Sequence, residues 1–133
     1  MHVFIGGAYN GKRDYVRKWL EEQGKKDVAW LESELPTAVP EASTIVVSGL
    51  EKFVAKHLDI DEDTLASQLL QQLQALGTEK ELIVIVTEMG RGIVPIDANT
   101  RKIRDICGRF YQKLFKISPQ ITRIWYGIAE TIK

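Results

Sequence analysis

Four short apolar runs, at residues 3–5, 44–47, 82–87 and 121–126, alternate with stretches whose apolar residues recur at helical spacing. The runs are rich in Val and Ile and nearly continuous in hydrophobicity, the pattern of strands covered on both faces. Between them, Tyr15, Val16, Trp19 and Leu20 form one helical stripe that ends near Gly24. Leu65, Leu69, Leu73 and Leu76 form a second, opened by the acidic run at 59–63 and closed by Gly77. Ile103, Ile106, Cys107, Phe110, Leu114 and Ile117 form a third, stopped by Ser118-Pro119. Strands alternating with helices predict an α/β fold with a mainly parallel sheet and right-handed crossovers. The 133 residues, 44% of them hydrophobic, suit a single domain over residues 1–133. The one loop-like shift in composition, from Glu32 to Ser43 with Pro36 and Pro40, is too short to separate domains.

Charge and cysteine usage narrow the function classes. With 18 basic and 18 acidic residues, no global field favours nucleic acid or an anionic membrane. No charged-then-apolar leader is visible, and no apolar run approaches the roughly 18 residues of a membrane span. Cys107 is the single cysteine, which excludes an internal disulfide and suits a reducing compartment. A cytoplasmic protein is the expectation.

The first apolar run leads into Gly6-Gly7-Ala8-Tyr9-Asn10-Gly11-Lys12-Arg13, and a helical stripe follows. Strand, glycine-rich loop and helix is the context in which such a loop cradles phosphates. Glycines let the backbone approach a polyphosphate, and the loop and first-turn N–H groups point at its oxygens. Lys12 would reach the outer phosphates as a compact positive charge. The plainer reading is a tight strand-to-helix turn. The residue after the lysine is usually Ser or Thr, whose hydroxyl holds Mg²⁺, and here it is Arg13. Arg13 can serve as a forked phosphate donor, fill the metal position with a fixed charge, or point to solvent. The first two would reduce dependence on Mg²⁺.

A second signature, Thr87-Glu88-Met89-Gly90-Arg91-Gly92-Ile93-Val94-Pro95, leaves the third apolar run. The carboxyl end of a central parallel strand faces the ligand crevice. Glu88 is therefore the candidate acid–base or metal-organising residue, against the alternative of a solvated Glu in a turn. Gly90 and Gly92 would permit the sharp exit and Pro95 would stiffen the loop. Arg101 and Arg104 are candidate phosphate or substrate contacts or else part of a solvated helix face, on which Arg101 can pair with Asp105. Cys107 reads as a small core residue, and His2 and His57 have no partner at metal-ligand or triad spacing.

These motifs, with Arg101-Lys102-Ile103-Arg104-Asp105-Ile106-Cys107-Gly108-Arg109-Phe110-Tyr111-Gln112 and the closing Gly127-Ile128-Ala129-Glu130-Thr131-Ile132-Lys133, resemble the adenosylcobinamide kinase / adenosylcobinamide-phosphate guanylyltransferase family. Trp30, Glu34 and Pro36 fit the spacing of a family Trp-x-x-x-Glu-x-Pro stretch. The resemblance spans the first 20 or so residues and then residues 82–133. It implies a RecA-like phosphate-loop NTPase fold, commonly trimeric. It also implies phosphorylation of the cobinamide aminopropanol hydroxyl by ATP or GTP, then GMP transfer through a guanylylated histidine. Lys12 and Glu88 would then be the catalytic residues, and adenosylcobinamide a partner.

Three departures redirect that expectation. Where the family has a second strand and a helix carrying the guanylyl-accepting histidine, only residues 23–29 remain, and neither histidine lies there. A phosphoramidate to GMP needs an imidazole, so the guanylyltransferase step is expected to be lost. Arg13 replaces the metal-binding Ser, and Ser48 replaces an aspartate that helps organise Mg²⁺, with Glu51 the nearest compensating carboxylate. Tyr111 replaces an Asn and is expected to face packing or a subunit contact. The sequence thus predicts retained binding of nucleotide phosphates with doubtful need for Mg²⁺. The alternative is a non-catalytic relative acting through protein contacts.

Overall fold

The computed structural model describes residues 1–7, 11–89 and 97–133. Six strands, β1 (His2–Gly6), β2 (Val28–Glu32), β3 (Thr44–Ser48), β4 (Glu81–Thr87), β5 (Gln120–Trp125) and β6 (Ile128–Thr131), form one sheet in the order β2-β3-β4-β1-β5-β6. All neighbours are parallel except β5 and β6. Four helices, α1 (Lys12–Glu22), α2 (Leu50–Ala55), α3 (Glu62–Leu76) and α4 (Ala98–Ile117), connect them. The α/β expectation holds, with β4 inserted between β1 and β3 as the RecA-like arrangement requires.

Strand periodicity sorts the core into two layers. Side chains alternate faces along a strand. Phe4, Val46, Ile83, Ile85 and Ile124 pack with Val16 and Leu20 of α1 on one face. Val3, Ile45, Val47, Leu82, Val84 and Val86 face the other way, onto α2, α3 and α4. Because both faces are covered, β3 and β4 show no polar alternation, which is why they read as continuous apolar runs. Fully buried Leu65, Leu69, Leu73, Phe110 and Leu114 fasten α3 to α4, each contributing roughly 1.5–3 kcal/mol of apolar burial.

Local signals set the helix ends. Asp61 caps α3, its carboxylate accepting from the Thr64 N–H at 3.2 Å, and the Gly77 N–H closes it onto Leu73 O at 3.0 Å. Asp97 caps α4 by accepting from Asn99 N–H at 3.2 Å, and Ser118 ends it. On α4, Tyr111 is buried and its hydroxyl donates to Thr87 O at 2.9 Å, so it faces packing, as one of the two expectations had it. Cys107 lies beside it in the core, where burial pushes its thiol up to about 12.

Three elements were not legible. β2 is a half-exposed edge strand and takes Glu32, so the irregular stretch begins at Ser33. β6 is exposed throughout, and α2 is too short to display a stripe. The fourth apolar run ends one residue early, Tyr126 belonging to the β5–β6 turn.

The order of connections locates a crevice. After β1 the chain moves through α1 toward β2, whereas after β4 it moves through α4 past β1 to β5. The two connections leave adjacent strands on opposite faces, so the carboxyl ends of β1 and β4 flank the switch point where open α/β sheets take ligands.

Candidate functional site

A cleft of about 420 Å³ opens at that point, lined by Gly11, Lys12, Arg13, Asp14, Arg17, Ser48, Gly49, Glu51, Ile85 and Thr87. Its floor is the start of α1. Gly11 occupies the N-cap in the left-handed conformation (φ 75°) and makes no side-chain cap, so among the described residues no side-chain cap satisfies the first-turn amides. Free N–H groups at a helix start, with the positive end of the helix dipole, suit an anion.

Lys12 bends back so that its ammonium donates to Gly7 O at 2.9 Å. Burial lowers its pKa from the ordinary lysine value, and the nearby Arg13 adds to this; the Glu51 and Glu88 carboxylates act in the opposite sense. A partly desolvated cation of this kind is available to an incoming anion, which would replace the Gly7 carbonyl as its partner. Arg13 neither points freely to solvent nor holds a hydroxyl at the metal position: its guanidinium pairs with Glu32 at the end of β2. Arg17 stacks over Trp30 at 5.4 Å and also lines the cleft. The lining thus carries Lys12, Arg13 and Arg17 against Asp14 and Glu51.

Glu88 follows β4 directly. Its N–H donates to Gly6 O at 2.8 Å, which brings the carboxyl end of β4 against the start of the glycine loop. Its carboxylate lies 3.5 Å from the Arg123 guanidinium of β5, whose Nε is buried without a hydrogen-bond partner among the described residues. Arg123 and Glu51 are the site residues that sequence reasoning underweighted. Arg123 sits inside an apolar run with no motif around it, whereas Glu51 was visible as a carboxylate three residues after Ser48.

The remaining candidates divide. Gly6 and Gly7 belong to the loop, while Ala8, Tyr9 and Asn10 lie outside the described residues, as do Gly90, Gly92 and Pro95. Arg101 and Arg104 stand in the first turns of α4 and do not line the cleft; Arg104 Nε lies 3.8 Å from Asp105. His2 is at the opposite end of β1, hydrogen-bonded to Thr122 Oγ1 at 2.7 Å and stacked on Phe4. His57 closes onto Phe53 O at 2.8 Å. Neither histidine lines the cleft. Between α1 and β2 the chain crosses in residues 23–27, so the second strand is present while the intervening helix is not.

The donor set does not suit an Mg²⁺ ion of the usual phosphate-loop kind. That ion takes an alcohol oxygen directly after the lysine and a carboxylate nearby. Arg13 offers a paired cation there, and the Ser48 hydroxyl, where the carboxylate would be, is on a residue only 3% exposed. Among the described residues, no three His, Cys, Asp or Glu gather to hold a metal ion. Nor is any helix among them long and apolar enough to cross a membrane.

Nothing among curated proteins matches the chain. The family model described as cobinamide kinase / cobinamide phosphate guanyltransferase matches residues 12–132, from the loop lysine nearly to the last residue. The phosphate-loop-like α/β sheet, the cleft at its switch point and this match agree, and the chain belongs to the cobinamide kinase / cobinamide phosphate guanyltransferase family, whose place is in cobamide biosynthesis.

Proposed function

We propose that the chain binds ATP or GTP by the polyphosphate, on the Gly6–Arg13 loop and the start of α1, and that it lacks the guanylyl-transfer step. The observation that carries this reading is Lys12, a half-buried ammonium lining the cleft beside helix-start amides that have no side-chain cap among the described residues. Its hydrogen-bond acceptor among the described residues is the Gly7 carbonyl, a weaker acceptor than a phosphate oxygen. Loss of guanylyl transfer rests on the direct crossing from α1 to β2 and on two histidines that lie away from the cleft. With Arg13 at the metal position, affinity should depend little on Mg²⁺.

Calorimetry with ATP and GTP, with and without Mg²⁺, tests this. Both nucleotides should bind, and Lys12→Ala should weaken them by at least tenfold, about 1.4 kcal/mol. A Lys12→Ala variant that binds as well as the parent refutes it.

A phosphotransferase reading is favoured by one specific observation: the Glu51 and Glu88 carboxylates both lie near enough to Lys12 to favour its charged form. On that reading Glu88 accepts the proton of the cobinamide hydroxyl as phosphate is transferred, and Lys12 offsets charge on the transferring group. Phosphate transfer to adenosylcobinamide should then disappear in Glu88→Gln; no turnover with any nucleotide or metal leaves a nucleotide-binding relative acting through protein contacts. A cytoplasmic homo-oligomer, trimeric by family expectation, completes the proposal, and sedimentation velocity measures the assembly.

A further inference from the structure

The β5–β6 turn lies near Gly11, at the start of α1, and carries two exposed aromatic rings that the proposed function does not use. Trp125 and Tyr126 are 58% and 72% exposed, edge to face, with ring centroids 5.5 Å apart. Trp125 pairs with Ile128 across a two-residue turn made by Tyr126 and Gly127, both left-handed (φ 48° and 78°). Such turns ordinarily place Asn or Asp first, because a bulky side chain is disfavoured there. An aromatic ring held out to water in a disfavoured conformation needs a reason.

Position supplies one. A Cβ placed on Gly11 would lie 4.0 Å from Gly127 N, so the turn is a near neighbour of the residue that starts α1. The polar cleft, with Ser48 and Thr87, lies on the β3–β4 side of β1, whereas this turn hangs from β5 on the opposite side. A ligand lying across the loop therefore meets cations at one end and aromatic faces at the other. We propose that Trp125 and Tyr126 form a stacking platform for the base of the nucleotide, the terminal phosphates pointing into the cleft. This rests on the phosphate-binding reading above. The turn supplies ring faces, which every base can use, so the platform tolerates both ATP and GTP.

Binding of ATP, GTP and inorganic tripolyphosphate to the parent chain, Trp125→Ala and Tyr126→Asn separates the two readings. Asn keeps the left-handed turn, so a loss in Tyr126→Asn reflects the ring rather than the fold. Both nucleotides should bind more tightly than tripolyphosphate and quench Trp125 fluorescence. Each variant should lose roughly tenfold for the nucleotides and nothing for tripolyphosphate. Nucleotide affinities unchanged in both variants, but still lost in Lys12→Ala, would overturn the platform and leave phosphate binding standing. Variants that alter self-association with nucleotide affinity intact would likewise overturn it, making the rings a contact between copies. Failure of nucleotide and tripolyphosphate alike would remove both readings.

Discussion

Gly49→Ala is expected to destabilise the protein by roughly 2–4 kcal/mol, most of it from one close approach. Gly49 starts α2 at φ 71°, where an L side chain costs about 1–2 kcal/mol. The added Cβ would also lie 2.6 Å from Ser33 Oγ and 3.1 Å from Ser33 N. The Ser33 backbone cannot withdraw cheaply, since its N–H donates to Ser48 O at 2.8 Å and its own φ is 60°. Crowding of this kind costs a further 1–3 kcal/mol, and the stiffer unfolded chain returns about 0.4–1 kcal/mol. Gly24→Ala is the control: φ is again 71°, but nothing lies within 4 Å of its Cβ. Urea unfolding of both variants should show a larger fall in midpoint for Gly49→Ala at unchanged slope. Heating should lower its Tm by about 4 °C per kcal/mol. Adding Ser33→Ala should restore part of the loss, a coupling a double-mutant cycle reads directly. Equal costs at Gly24 and Gly49 would refute the close-approach reasoning. So would the absence of any rescue by Ser33→Ala.

Three further outcomes are expected. Burial lowers the Lys12 pKa, so the folded state releases that proton more readily than the unfolded one, and the ammonium opposes stability until pH rises through the folded value toward 10.5. Without ligand, Lys12→Met should therefore match or exceed the parent in neutral urea melts, its advantage shrinking toward pH 10.5; a loss beyond about 1 kcal/mol would contradict this. Cys107 shifts the other way, from 9.0 to about 12: its contribution is complete below pH 9.0 and declines as pH climbs toward 12. The stability gap between the parent and Cys107→Ala should narrow across that window, and a constant gap would count against the burial argument. Arg13→Ser should change stability by less than about 1 kcal/mol, because the Glu32 pair is half exposed, and should raise the Mg²⁺ dependence of ATP binding. Metal dependence identical to the parent would show that Arg13 does not occupy the metal's place.

What the sequence disclosed follows from how each element is buried. β3 and β4 are covered on both faces, so their apolar runs were unmistakable, whereas β2 and β6 at the sheet margins carry exposed residues and gave no run. α3 and α4 are long enough to show a stripe, and α2, at six residues, is not. The site was legible where a motif fixes chemistry to neighbours in the chain, as at Lys12. It was illegible where partners meet only through the fold. Arg13 with Glu32, and Arg123 with Glu88, join residues 19 and 35 positions apart on different parts of the fold. Arg101 and Arg104 do not line the cleft, and helical spacing could not say so, because it tells which face they share and not where that face lies in the fold.

Gly6 bears on how chains of this kind should be compared. A Cβ there would stand 2.5 Å from Ile124 O, while its carbonyl already receives the Glu88 N–H, so three strand ends converge on a residue with no room for a side chain. That demand comes from the sheet and persists whether or not a phosphate ever arrives. In a descendant that had abandoned nucleotides altogether, the first glycine of the loop would still be retained, and counting glycines would overstate its capacity. If Lys12→Met folds as expected above, Lys12 is the residue whose presence or loss would distinguish a phosphate site from an inherited scaffold.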